Sequence, residues 1–176
     1  MEIQSWKTAI NRKFPSAPLL RGIFFDLKKE DTILDYGCGY GFDVKYLQLA
    51  GYNVEGYDKY HTPYKFTQLS KGLYNKVICS YVINVIPTIQ ERLDVLNKLN
   101  YFSSDNATIY ITIRLRDRQM RRVIPAYDGV ITSKKTFQKY YIEEEFLELL
   151  REVFKTENIR FKKIGSDNLM AIVEKQ

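Results

Sequence analysis

Ile33-Leu34-Asp35-Tyr36-Gly37-Cys38-Gly39-Tyr40-Gly41 runs from an apolar strand into three alternating glycines, and Phe42 to Ala50 follows with helical spacing. Glycine has no Cβ, so it lets the chain turn sharply and brings bare backbone against a ligand at a helix N-terminus. A dinucleotide-binding fingerprint would put its third glycine at position 42, where this chain has Phe42. Strand, loop and helix in this order predict an α/β fold with a ligand site at the strand's carboxyl end.

Working outward, Asn53 to Asp58 and Lys76 to Val82 read as further strands, and Gly51 closes the helix before them. Thr88-Ile89-Gln90-Glu91 has capping-box form and opens a helix carrying Leu93, Leu96 and Leu99. Ala107 to Leu115 is the next strand, and Glu143 to Phe154 a helix with Phe146, Leu147, Leu150 and Phe154 on one face. Arg160 to Ile164 and Leu169 to Glu174 flank Gly165-Ser166-Asp167-Asn168 as an antiparallel hairpin. Upstream, Trp6, Ala9 and Ile10 fall near helical spacing, Asn11 to Ala17 break it, and Pro18 starts an apolar stripe of Leu19, Leu20, Ile23, Phe24 and Leu27. The expected organisation is an N-terminal helical region, 1–30, packed on a single domain, 31–176. That domain has a mostly parallel sheet ending in an antiparallel hairpin.

The 176 residues suffice for one domain with a real core. No apolar run approaches the roughly 20 residues a membrane helix needs, and no secretory pattern opens the chain. Cys38 and Cys79 make neither a disulfide framework nor a metal cluster, so a cytoplasmic location and no metal are expected. The net charge of +6 favours a polyanionic partner.

Glycine at 41, with an acid two residues before the first glycine, resembles the class I methyltransferase motif. The resemblance implies a Rossmann-like fold and S-adenosylmethionine as cofactor. It sets Asp35 near the cofactor's amino group and Gly37, Gly39 and Gly41 around its methionyl and ribose portions. Cys38, Lys59 and Ser80 join them as cofactor-binding candidates. Asp58 ends the second strand, where a carboxylate can accept ribose hydroxyls. The class fits a helix, an edge strand and an adenine-contacting acid after this point. Only the seventeen residues 59–75 are available here, so an abbreviated third-strand region is expected.

Further segments narrow the likeness: Lys7-Thr8-Ala9-Ile10, Asp43-Val44, Tyr81-Val82-Ile83-Asn84-Val85-Ile86, Asp128-Gly129-Val130-Ile131-Thr132-Ser133 and Thr136-Phe137-Gln138-Lys139. Together they resemble the DNA phosphorothioation-associated methyltransferases, of which this chain would be a compact version. The likeness implies a DNA modification setting, with a protein partner in that system.

The third strand's exit lacks the Asp/Asn-Pro-Pro-aromatic sequence of amino-methylating DNA enzymes, and no Pro-Cys pair supplies a cysteine nucleophile. Tyr81, Asn84 and Asp43 are the catalytic candidates. Arg114, Arg116 and Arg118, leaving the sheet's carboxyl edge, are candidates for phosphate, since the guanidinium fork binds two oxygens at once. Lys134, Lys135 and Lys139 extend that basic track. His61, the sole histidine, is a base candidate near Asp58. Nucleic acid is the preferred acceptor. The alternatives are a small molecule, or a non-catalytic cofactor-binding module serving a DNA modification system.

Overall fold

The computed structural model describes residues 3–115 and 123–176. Its main sheet comprises β1 (Thr32–Tyr36), β2 (Asn53–Tyr57), β3 (Tyr74–Ser80), β4 (Ser103–Arg114), β8 (Ile159–Lys163) and β9 (Asn168–Glu174). Their spatial order is β2-β1-β3-β4-β9-β8. The first four strands run parallel, while β9 pairs antiparallel with both β4 and β8. The carboxyl ends of β1 to β4 therefore open on one edge. Among the described residues no strand lies outside β2, as the short interval after Asp58 predicts.

Alternation along the strands feeds two cores, one on each face. Leu34, Val77, Cys79, Ile109, Ile111, Ala171 and Val173 pack with Leu96 and Leu99 of α2 (Ile89–Phe102) and with Phe146, Leu150 and Phe154 of α3 (Glu143–Phe154). Ile33, Val54, Ile78, Tyr110 and Ile172 face the other way, toward Leu19, Ile23 and Leu27 and toward Val44 and Leu47 of α1 (Phe42–Leu49). Thr88 caps α2 by accepting the Glu91 N–H at 3.3 Å. Cys79 is a fully buried core thiol.

Two regions differ from the sequence expectation. The first N-terminal helix is a single 3-10 turn, Ser5–Thr8, with no buried residue, and Ala9 leaves it extended. Lacking an apolar stripe to bury, this turn propagates no helix. Leu19–Ile23 forms a π-helical turn instead of an α-helix, with Leu19 and Ile23 against the sheet. The second difference is a small antiparallel sheet of β5 (Ile124–Ala126), β6 (Gly129–Ile131) and β7 (Phe137–Gln138).

Candidate active site

The glycine loop is stitched to β2. Gly37 and Cys38 both donate their N–H to the Tyr57 carbonyl, at 2.7 and 3.1 Å. Gly39 donates to Asp58 Oδ2 at 2.8 Å. Asp58 Oδ1 accepts three further donors: the N–H groups of Tyr60 (2.9 Å) and His61 (3.1 Å), and His61 Nδ1 (2.8 Å). Oδ2 carries only the Gly39 bond among these, so it is the oxygen with capacity left for a further donor. His61, which the sequence offers as a general base, orients this carboxylate.

A cleft of about 1110 Å³ opens above the carboxyl ends of β1 to β4. Gly37, Cys38 and Gly39 line it together with Asp35, Asp43, Asp58, Lys59, Ser80, Tyr81, Asn84 and Arg114. Gly41 is not among the residues lining the cleft: its φ is +72°, and a Cβ there would stand 2.1 Å from the Tyr64 ring. Gly41 therefore shapes the loop and seats Tyr64.

Three carboxylates gather at the loop. Burial pushes the Asp35 carboxyl well above the usual carboxylate range; Asp43 and Asp58 add to the rise and Arg12 opposes it. Asp43, in the first turn of α1, accepts the Ser16 N–H at 2.8 Å and so ties the N-terminal segment to the loop helix. A pocket floor of this charge disfavours phosphate and favours a cation.

The far side of the cleft starts where β3 ends. Tyr81 takes φ +63° and donates its N–H to the Thr112 carbonyl at 2.8 Å. Burial raises its phenol above the ordinary value, against the pull of Arg114 and Arg12. It stays protonated, a donor more than a base. The Arg114 guanidinium lies 5.8 Å from the Tyr81 ring centre. Asn84 is buried, and its carbonyl accepts the Lys139 N–H (2.7 Å) and Gln138 Nε2 (3.2 Å). Among the described residues, Asn84 Oδ1 and Ser80 Oγ are buried without partners. Arg116 and Arg118 lie outside the described residues.

Lys139 does not extend a basic track. It is buried, with its ammonium 2.6 Å from Glu145 and 3.5 Å from Asp128. Lys134 does line the cleft, beside Thr132 and Ser133 in the turn between β6 and β7.

Sequence reasoning missed three contributors. The segment Ser5 to Arg12 forms a cleft wall, carrying Trp6 and Arg12. The small sheet supplies a second wall. Arg92, fully buried, anchors that sheet through Asp128. A signal existed for the last: Arg92, Leu96 and Leu99 share one helical stripe, so an arginine stands at a core position.

The strand order, the glycine turn after β1 and the acid ending β2 define a class I methyltransferase fold. The chain belongs to the methyltransferase domain family, which it matches over residues 8–153, and is an S-adenosylmethionine-dependent methyltransferase. A 1,6-didemethyltoxoflavin-N1-methyltransferase from Burkholderia thailandensis, solved with 1,6-didemethyltoxoflavin and S-adenosylhomocysteine, is similar at 13% identity and TM-score 0.65, over 91% of this chain and 76% of that one. A methyltransferase from Methanosarcina mazei is similar at 15% identity and TM-score 0.69, over 88% and 97%. A Pyrococcus horikoshii protein is similar at 15% identity and TM-score 0.70, over 90% and 88%. No curated protein matches the chain by sequence. Among the described residues no helix is long and apolar enough to cross a membrane, and no group of three or more His, Cys, Asp or Glu could hold a metal ion.

Proposed function

We propose that the cleft holds S-adenosylmethionine between the glycine loop and Asp58 and delivers its methyl group to a nucleic-acid acceptor beside Tyr81 and Arg114. The observation carrying the cofactor half is the trio Asp35, Asp43 and Asp58 around Gly37 to Gly39. A ligand bearing sulfonium and ammonium charge relieves their mutual repulsion, which a pyrophosphate would worsen.

When bound, the cofactor supplies a methyl carbon on cationic sulfur, open to in-line displacement. The chain's part is placement, because a good leaving group leaves little else to catalyse. Asp35 holds negative charge for the amino group, Asp58 Oδ2 takes one ribose hydroxyl, and Lys59 and Ser80 flank the nucleoside. Tyr81 and Asn84 border the acceptor, and Asp43 serves as its proton acceptor.

Arg114, Arg12 and Lys134 line the cleft and favour an acceptor carrying phosphate, in keeping with the net charge of +6. A single nucleotide drawn into such a cleft is the form in which an enclosed site reaches a base. The likeness to phosphorothioation-associated methyltransferases points to DNA and to a partner in a modification system. The free thiols Cys38 and Cys79 suit a reducing cytoplasm.

A small-molecule acceptor is the second reading. It is favoured by Glu91, Asp94 and Asp167, which also line the cleft and repel a backbone of phosphates. Tritium transfer from the labelled cofactor to DNA, tRNA and a metabolite pool tests both. Labelled nucleic acid at low salt, lost as salt rises, supports the first reading. Label in the metabolite pool alone supports the second. Binding of S-adenosylhomocysteine with no labelled product would leave a cofactor-binding module.

A further inference from the structure

We infer that Trp6, on the N-terminal segment, is the surface on which the cofactor's adenine ring stacks, in place of the wall that a strand beyond β2 would give. This rests on the cofactor reading above. Past Asp58 the cleft is bounded by the turn Ser5–Thr8 and by residues 59–61. The Trp6 ring lies 6.2 Å from the Tyr60 ring, tilted by 56°, and is 40% exposed. An indole left half open to a cleft is a platform for a planar π ligand.

The platform is held in place. Thr8 Oγ1 bonds the Ser5 carbonyl at 2.6 Å and fixes the turn. Gln4 donates its N–H to the Lys135 carbonyl at 3.0 Å, and Ser16 donates to Asp43 at 2.8 Å, so the segment is tied to opposite walls. Between these ties it passes over the loop: a Cβ on Gly39 would lie 3.2 Å from the Ala9 Cβ. Gly39 is the residue that donates to Asp58. Trp6, in ring contact with Tyr60 two residues past Asp58, therefore stands on the nucleoside side of the cleft, where its occupant is the cofactor's base.

Trp6 is the only tryptophan of the chain, so its emission reports the contact directly. Titration of the intact protein with S-adenosylhomocysteine should change Trp6 emission, and calorimetry of Trp6→Ala should show roughly 5- to 150-fold weaker binding, the span of base–aromatic stacking. Trp6→Phe, which keeps a ring and guards against misfolding of the first variant, should lose far less. Unchanged emission at saturation, or a folded Trp6→Ala protein that binds within about twofold of the parent, overturns the inference while leaving the cofactor reading intact. If the parent binds no S-adenosylhomocysteine, the cofactor reading itself fails and the inference with it.

Discussion

Arg92, fully buried on α2, donates to both carboxylate oxygens of Asp128 at 2.6 and 2.5 Å and to the carbonyls of Ile86 (2.8 Å) and Pro87 (2.8 Å). Its guanidinium also lies 5.6 Å from the Phe137 ring centre. One side chain thus joins the core helix, the β3 exit and the small sheet. Asp128→Ala would leave a buried cation unpaired, which costs about 3–5 kcal/mol in a dry site. Asp128 is 42% exposed, so the expected loss is nearer about 2 kcal/mol, read by urea denaturation. Adding Arg92→Met should recover part of it. Arg92 lowers the Asp128 carboxyl below its ordinary value. A depressed carboxylate stabilises the fold above its unfolded-state value and loses that contribution as pH falls through the folded one. The tie should hold at neutral pH and weaken only in acid below the usual carboxylate range.

Asp35 has the opposite sign. Its carboxyl is raised by burial and by Asp43 and Asp58, so the fold without ligand is penalised as pH rises above the unfolded-state value. Asp35→Asn should stabilise the free protein at neutral pH. It should also weaken S-adenosylhomocysteine binding and flatten its pH dependence. In the parent, affinity should rise with pH through the raised value, with proton uptake or release read by calorimetry in buffers of different ionisation enthalpy. A variant that binds as tightly as the parent at every pH would remove Asp35 from the site.

Arg114 carries the acceptor reading. Arg114→Ala should leave S-adenosylhomocysteine affinity unchanged, weaken nucleic-acid binding, and lower the salt slope by about one counterion. An unaltered slope would assign the guanidinium to its contact with Tyr81 alone.

Gly41→Ala and Gly72→Ala separate backbone strain from crowding. Both positions have positive φ, +72° and +63°, but a Cβ meets the Tyr64 ring at 2.1 Å in the first case and nothing within 4 Å in the second. The left-handed backbone alone costs about 1–2 kcal/mol. Gly72→Ala should lose that much in thermal unfolding, and Gly41→Ala clearly more, with the loop displaced.

Much of the fold was legible because its signals are local. The run Thr32 to Tyr36, the capping residue Thr88 and the hairpin around Gly165 each fall within a few residues of the observed bounds. On α3 the buried face includes Leu149 and Val153, while Leu147 sits at its side; a one-residue rotation of the stripe is within what spacing conveys. Asp35, Gly37, Gly39 and Asp58 were legible as a cluster because strand ends converge on one edge. What escaped was made by contacts distant in sequence. Trp6 reaches Tyr60 across 54 positions, counted from 6 to 60, and Arg92 reaches Asp128 across 36. No local pattern encodes which loop returns to which wall. The small sheet escaped because two- and three-residue strands leave no periodicity.

The pairing of β4 with β9 along seven residue pairs, from Thr108 with Glu174 to Arg114 with Asn168, bears on how the polypeptide can be divided. The family match ends at residue 153, before either strand of the hairpin begins. A fragment trimmed to that span would strip Leu169 to Val173 from both cores and leave the β4 ladder unsatisfied, an invitation to strand-to-strand aggregation. The stretch by which the family is recognised is thus shorter than the stretch its sheet needs to close.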